Sequence, residues 1–371
     1  MITTGGAERF ALGLATNLPS ERFELWVCST RTAEPAALEL LANAGVRHVN
    51  LGRRAKLDVY RLWGLVRLLR THRFDVLHAH MFGSNLWGTV IGRLCRVPVI
   101  VAHEQTWSYE GEPLRRWLDG HVIGRWATRF IAVSTRDAER MVTIEGVSPA
   151  KVTMIPNGYV PRPTSADTNL RRELGTPPDA PLLVVVAQLR PQKALSVLLE
   201  AFVTVRAAIP DVHLVIAGDG ECRLALEQQA SATGISQAVH FLGRRDDVDG
   251  ILRCGDIAVM SSDFEGTPLV AYECIANRTP LVATAVGGLP DIIVDGETGR
   301  LVPRRNPDAL AQALIELLRD PALRRRLVEA ALRAHPDIGI DTSVGRFSEL
   351  YEMLIAETGT VLPDALATAA H

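Results

Sequence analysis

Short runs of β-branched and aliphatic residues alternate with amphipathic segments along almost all 371 residues of this chain, and that rhythm admits few folds. Helices that follow strands in this way cover both faces of parallel sheets, so the pattern predicts a doubly wound α/β architecture. In the first half, strands are predicted from Phe23 to Cys28, Arg47 to Leu51, Asp75 to His80, Pro98 to His103, Arg129 to Val133 and Lys151 to Ile155. Helices are predicted over about 7–18, 34–43, 58–71, 84–94, 113–127 and 135–145. The second half repeats the scheme, with strands from Leu182 to Ala187, His213 to Ala217, Val239 to Leu242, Ile257 to Ser261, Leu281 to Ala283 and Arg300 to Val302. Between the halves, Pro161, Pro163, Pro177 and Pro178 mark residues 161–180 as a linker. The expected organisation is a first domain over 1–160, a second over 181–343, a last helix near 344–357 that crosses back onto the first, and a tail over 358–371. Two such sheets leave a cleft outside their carboxyl edges, where ligands of α/β folds bind.

The rhythm is incomplete at the front. Gly5-Gly6-Ala7-Glu8 reads as a glycine turn opening a helix, but only Met1 to Thr4 stand where a strand should precede it. Either the true start lies upstream, or the first domain lacks its first strand. A missing central strand would leave two neighbours with unpaired ladders.

Bulk composition narrows the function classes. Apolar content of 47% with 22% charged residues is that of a globular protein. The five cysteines, Cys28, Cys95, Cys222, Cys254 and Cys274, are scattered without a CxxC, which argues against a disulfide framework or structural zinc and for a reduced compartment. Without an apolar run of 18 residues or a leader-like start, the chain reads as cytoplasmic, or peripheral to a membrane. Residues 1–160 carry 20 Lys and Arg against 14 Asp and Glu, a balance of +6, and the remainder carries −8. The basic half either meets an anionic partner or is unevenly charged surface. Arg53, Arg54, Lys56, Arg61, Arg67, Arg70 and Arg73, interleaved with Leu62, Trp63, Leu65, Val66, Leu68 and Leu69, could lie on anionic lipid, or could pack their apolar face on the sheet. No nucleic-acid motif is present.

The segment from Asp263 to Glu273 carries the most chemistry. The apolar run Asp256 to Ser262 predicts a buried strand, and Thr267 followed by Pro268 reads as an N-cap and first helical residue. Glu265 then falls in the loop and Glu273, eight residues on, inside the helix. Amides around Gly266 and Thr267 at a helix N-terminus favour an anion such as diphosphate, while the two carboxylates can accept hydrogen bonds from sugar or ribose hydroxyls. Lys193, in Leu189-Arg190-Pro191-Gln192-Lys193, ends another apolar run. Only 3 of the 40 basic residues are lysines, so a lysine in this loop suits a phosphate partner better than ordinary surface charge does.

With these motifs in order, the chain resembles glycosyltransferase family 4, whose GT-B fold sets two Rossmann-like lobes around a nucleotide-sugar cleft. The resemblance runs from Gly5 to the last helix. It rests on Gly5 to Glu8, Asp75 to His80, His103, Ile131 to Ser134, Ile155 to Gly158, Leu189 to Lys193, Ala217 to Gly220, Phe241 to Gly243, Glu265 to Glu273 and Gly287 to Asp291. It implies transfer of a sugar from a nucleotide-diphosphate sugar to a glycan or lipid-linked acceptor, with retention and without a cofactor or bound metal, in cell-surface polysaccharide or glycolipid synthesis. By that resemblance Glu265 would hold donor-sugar hydroxyls, and Gly266, Thr267, Pro268 and Leu269 would bind sugar and diphosphate. Glu273 would take the ribose, Lys193 would neutralise the leaving diphosphate, and backbone near Gly243 would contact the base. Gly5 and Gly6 would approach the phosphates, and His103 would face donor and acceptor. The alternative for His103 is a satisfied histidine at a strand end, the reading also given to His78 and His80.

The chain departs from the family at Gln188, where an Arg commonly stands, and at Ala187 and Ala194, where Gly does. Arg190 is the candidate for the missing charge. These departures motivate a rival reading, a catalytically weak nucleotide-sugar-binding subunit; a second rival is a GT-B sugar-nucleotide epimerase. On the favoured reading, Glu265→Ala and Lys193→Ala should lower turnover by orders of magnitude and leave the thermal midpoint nearly unchanged.

Overall fold

The computed structural model describes residues 6–55, 58–105, 112–161 and 170–359. It divides into two compact units, Met1–Val160 with Gly339–His371, and Pro161–Ile338.

In the first unit the strands are β1 (Trp26–Ser29), β2 (Arg47–Asn50), β3 (Val76–His80), β4 (Val99–His103), β5 (Arg129–Ala132) and β6 (Val152–Met154). All pair in parallel, but they form two sheets, β1-β2 and β3-β4-β5-β6. Each predicted strand is present within a few residues, and among the described residues no strand pairs with both β1 and β3. Helices α1 (Gly6–Asn17), α2 (Pro35–Asn43), α3 (Trp63–His72) and α4 (Phe82–Leu94) flank the sheets. The helix expected over 113–127 is instead a short α-helix Pro113–Leu118, a π-helical stretch Asp119–Ile123 and a last turn Gly124–Trp126. Gly120 allows this: a Cβ there would sit 1.8 Å from the carbonyl oxygen of Glu145.

On α3 and the turn before it, Leu62, Leu65 and Leu69 are buried in the core with Ile91, Val97 and Ile100. Of the apolar residues considered for lipid contact, Leu62, Leu65 and Leu69 thus pack inside, while Trp63, like Arg67 and Arg70, is exposed. Lys56 lies outside the described residues. The C-terminal helix Ile340–Glu357 begins four residues before its expected start and belongs to this unit, its Ile340 N–H donating to the Tyr159 carbonyl at 2.8 Å. Phe347 and Tyr351 carry it onto Phe10, Phe23 and His78.

The second unit is one parallel sheet of β7 (Leu182–Val186), β8 (His213–Ala217), β9 (Val239–Gly243), β10 (Ile257–Met260), β11 (Leu281–Thr284) and β12 (Arg300–Val302), in the order β12-β11-β10-β7-β8-β9. From β7 the chain steps outward to β9, then crosses back to β10 and continues to the other edge. That reversal puts the switch point between β7 and β10, which pair through Ile257 with Leu183 and Ala258 with Val184. Loops leaving the carboxyl ends of adjacent strands at a switch point face a common crevice. Here these are the loops holding Lys193 and Glu265.

Candidate functional site

Loop 187–194 follows β7, and loop 261–268 follows β10. They are stitched together by hydrogen bonds: Asp263 N–H to the Gln192 carbonyl at 2.8 Å, Gln192 Nε2 to the Phe264 carbonyl at 2.9 Å, and Ser261 Oγ to the Lys193 carbonyl at 2.9 Å. Within this frame Lys193 Nζ meets Glu265 Oε1 at 2.5 Å, and Ser262 Oγ donates to the same oxygen at 2.5 Å. Glu265 is 6% exposed, while the Lys193 side chain keeps 21% of its surface open. The carboxylate is therefore fixed from two sides. The ammonium retains room for a further partner.

A third loop supports the pair. Gly287 adopts φ +56°, and a Cβ there would lie 1.8 Å from the Glu265 carbonyl oxygen. Its neighbour Gly288 donates its N–H to the Gly266 carbonyl at 2.8 Å. Only glycine permits both the left-handed backbone and this approach. Asp263 is held away from the pair by Arg305, whose Nη2 lies 2.7 Å from Asp263 Oδ2, which agrees with a structural role for that carboxylate.

Gly266, Thr267, Pro268 and Leu269 are all buried, and the helix runs Leu269–Ala276. Pro268 is its N-cap, in extended conformation, and Leu269 its first residue, so the start expected at Pro268 moves one residue on. Pro268 itself is extended, with ψ 123°, so Leu269 is the first residue of the helix. A proline suits the N-cap as it does the first turn, because the N–H it lacks has no intrahelical acceptor at either position. Glu273 is inside the helix as expected and 1% exposed. Gln188 and Arg190 are exposed in the same β7 loop. Ala194, where glycine is common in the family, adopts a left-handed φ of 45°. Gly243 has φ +69°, and its carbonyl accepts from Gly218 N–H at 2.7 Å, joining the ends of β8 and β9.

His103 belongs to the first unit. It ends β4, is fully buried, and pairs in register with His80 at the end of β3. His78 and His80 alternate onto one face of β3, so the three rings gather: His78 Nε2 lies 3.2 Å from His103 Nδ1, and His103 Nε2 is 3.1 Å from Gln105 Nε2. His78 Nδ1 lies 2.5 Å from the Tyr351 hydroxyl. Burial pushes all three imidazoles below their ordinary range, His80 to about 4, so they are neutral at pH 7. Nitrogens of the three lie within 4.8 Å of one another, the ligand number of a zinc site. This grouping was legible in the sequence only as the alternating His78 and His80. His103 is 0% exposed, and its ring nitrogens meet His78 and Gln105. Gly6 is the exposed first residue of α1, and Gly5 lies outside the described residues.

The support residues Ser261, Ser262 and Gln192 carried no sequence signal, because serine and glutamine in loops are commonplace. Gly287 and Gly288 stood among the quoted motifs without a role.

Two parallel α/β units, one carrying a lysine, a carboxylate and a glycine-shaped turn at its switch point, define a nucleotide-sugar type of architecture. Comparison with known proteins makes the class specific. Residues 4–162 match the family described as Glycosyltransferase Family 4, and residues 166–334 match Glycosyl transferases group 1. The chain is 30% identical to the D-inositol 3-phosphate glycosyltransferase of Thermomonospora curvata, over 94% of this chain and 90% of that protein. It is also 30% identical to the enzyme of that name from Mycobacterium sp. strain KMS, over 88% and 81%. Among solved structures, HepE of Anabaena in complex with UDP-glucose superposes with a TM-score of 0.84 at 20% identity, covering 95% of this chain and 97% of that one. Sucrose-phosphate synthase from Thermosynechococcus elongatus gives 0.77 at 20% identity, covering 95% and 94%. The fold is that of GT-B glycosyltransferases. The chain belongs to glycosyltransferase family 4.

Proposed function

We propose that this glycosyltransferase moves a sugar from a nucleoside-diphosphate sugar to a glycan or lipid-linked acceptor with retention, in polysaccharide or glycolipid synthesis. The observation that carries the reading is the Lys193–Glu265 pair at the switch point, beside the Gly266 to Leu269 turn. Charge develops on the departing diphosphate oxygen during transfer. An ammonium and a row of helix N-terminal amides already oriented toward that oxygen stabilise it without reorganisation. Lys193 is the cation, and the amides of Gly266, Thr267 and Leu269 are the donors; Pro268 has none and shapes the turn. Glu265 accepts hydroxyl protons of the donor sugar, which orients the anomeric carbon. Glu273 takes the ribose hydroxyls, backbone at Gly243 meets the base, and exposed Arg190, with Gln188, adds to the phosphate side.

In this reading no protein group forms a covalent bond to the sugar and no metal is required, because Lys193 and the helix terminus supply the charge that a divalent ion would. His78 and His103 are hydrogen-bonded structural histidines, with His80 stacked on His78. UDP-glucose, bound by HepE, is a first donor to test. D-inositol 3-phosphate, from the relatives' name, is a first acceptor beside lipid-linked glycans. The site of action is cytoplasmic, with peripheral membrane contact by the exposed Tyr60 and Trp63 among Arg54, Arg67 and Arg70. Among the described residues no helix is long and apolar enough to cross a membrane.

A thermal-shift screen over nucleotide sugars identifies the donor, and nucleotide release in the presence of each acceptor tests transfer, repeated after chelation. Stabilisation by a donor without release or hydrolysis would favour the binding-subunit reading; interconversion of the donor's sugar would favour the epimerase.

A further inference from the structure

The three histidines of the first unit form a ligand set that the proposed transfer does not use. Among the described residues they are the one group of three metal-ligating side chains whose ligand atoms lie within 4.8 Å of one another. The sheet builds this group. His78 and His80, two apart on β3, share a face, and the parallel register sets His103 of β4 beside His80. Side chains on one face of two hydrogen-bonded strands are placed more firmly than side chains on loops. Burial has also removed the protons that compete with a metal: all three imidazoles are neutral at pH 7, the form that ligates.

We propose that His78, His80 and His103 bind one divalent transition-metal ion of the zinc class, which clips the end of β3 to the end of β4. His78 Nε2 and His103 Nδ1 are 3.2 Å apart. Two nitrogens on a tetrahedral zinc ion stand about 3.3–3.4 Å apart, so the ion takes the place of the proton between them with little change in spacing. His80 supplies the third nitrogen. Its ring centroid lies 4.2 Å from that of His78 and 4.9 Å from that of His103, and its buried Nδ1 has no hydrogen-bond partner. A turn of this ring about χ2 brings a nitrogen to the ion, and coordination recovers the cost of an orphaned polar atom. The nitrogens facing away are also provided for. His78 Nδ1 lies 2.5 Å from the Tyr351 hydroxyl, which can accept its proton. The proton displaced from His103 Nδ1 passes to Nε2, which lies 3.1 Å from the Gln105 amide. That amide accepts once turned over, and Asn157, 2.8 Å from its other end, turns with it. Phe10 and Phe347 pack against the rings and give the site an apolar wall. Three imidazoles suit zinc, nickel or copper(II) and disfavour magnesium and calcium, which take oxygen ligands; water completes the fourth position. The ion has no part in sugar transfer.

The full chain, produced without a histidine tag and stripped with EDTA, is titrated with zinc alone. Acid sensitivity of the free imidazoles belongs to the stripped form. One equivalent of zinc should bind and raise the unfolding midpoint by at least about 4 °C at saturation. X-ray absorption at the zinc edge should show imidazole nitrogen with oxygen and no sulfur. His80→Gln should weaken binding at least about a hundredfold and abolish the midpoint rise. His240→Gln, which alters the half-buried His213–His240 pair of the other unit, should bind zinc as the unsubstituted chain does. An unchanged midpoint at saturating zinc overturns the inference, as does binding that His80→Gln leaves intact. Sulfur neighbours at the zinc edge also overturn it, because they place the ion on cysteines. Should His80→Gln not fold, the ligand set of the unsubstituted protein decides: three imidazoles uphold the site, and any other set removes it.

Discussion

Lys193 Nζ lies 2.5 Å from Glu265 Oε1, although 72 residues separate them in sequence. The sheet order brings them together, because β7 and β10 are neighbours at the switch point and each residue lies in the loop that follows one of them. The pair is also a structural element. Removing Lys193 leaves a carboxylate that is 6% exposed with Ser262 as its remaining donor in the pair's immediate frame.

Lys193→Ala should therefore destabilise the protein by about 1–3 kcal/mol, against the expectation of an unchanged midpoint, and Lys193→Ala with Glu265→Ala should recover part of that loss. Denaturant unfolding of the four members of the cycle measures it. Additive single effects would mean the two groups are uncoupled.

Gly287→Ala should be among the most damaging small substitutions in the second unit. The new Cβ would meet the Glu265 carbonyl oxygen at 1.8 Å on a backbone with φ +56°, so the loop carrying Glu265 must shift. Gly296→Ala, at φ +76° with nothing within 4 Å, isolates the backbone strain, about 1 kcal/mol. The expected outcome is a larger loss of stability and of donor affinity for Gly287→Ala than for Gly296→Ala. Equal effects would show that contact with Glu265 is unimportant.

Ala194 holds a left-handed conformation at the end of the Lys193 loop. Replacing alanine by glycine ordinarily loosens the unfolded chain and costs up to about 1 kcal/mol. At this position relief of strain offsets that cost, so Ala194→Gly should be neutral or stabilising by up to about 1 kcal/mol in thermal unfolding. Ala187, the other residue that departs from the family's glycine, has no positive φ and should show the ordinary loss.

Much of this was legible in the chain. Periodicity gave every strand, since buried parallel strands are continuous apolar runs, and the glycine-rich and proline-marked turns placed the loops. Lys193 stood out by rarity and Glu265 by its turn. What no local pattern could supply was adjacency. The Lys193–Glu265 contact depends on strand order, the role of Gly287 on a third loop meeting the second, and the histidine trio on the register of β3 with β4. The proline at 268 misled by one residue because it suits both the first helical position and the cap before it.

The histidine trio makes stability sensitive to acid. The folded-state pKa of His80 is lowered to about 4 by burial, below the ordinary value near 6.5. Between those values the unfolded chain binds a proton that the native protein refuses, so unfolding free energy falls as pH drops below about 6.5. His80→Gln should be less sensitive to acid, its stability relative to the unsubstituted protein improving by about 2 kcal/mol between pH 7.5 and pH 5. A difference independent of pH would show that His80 is already protonated in the fold or exposed to solvent.

The most direct test of the central claim is the rate of nucleotide release from the donor found by thermal shift, with acceptor present, for the unsubstituted protein and for Glu265→Ala. The account predicts acceptor-dependent release by the unsubstituted protein and a rate at least about a hundredfold lower for Glu265→Ala, whose unfolding remains cooperative. Release by Glu265→Ala at the unsubstituted rate would contradict it.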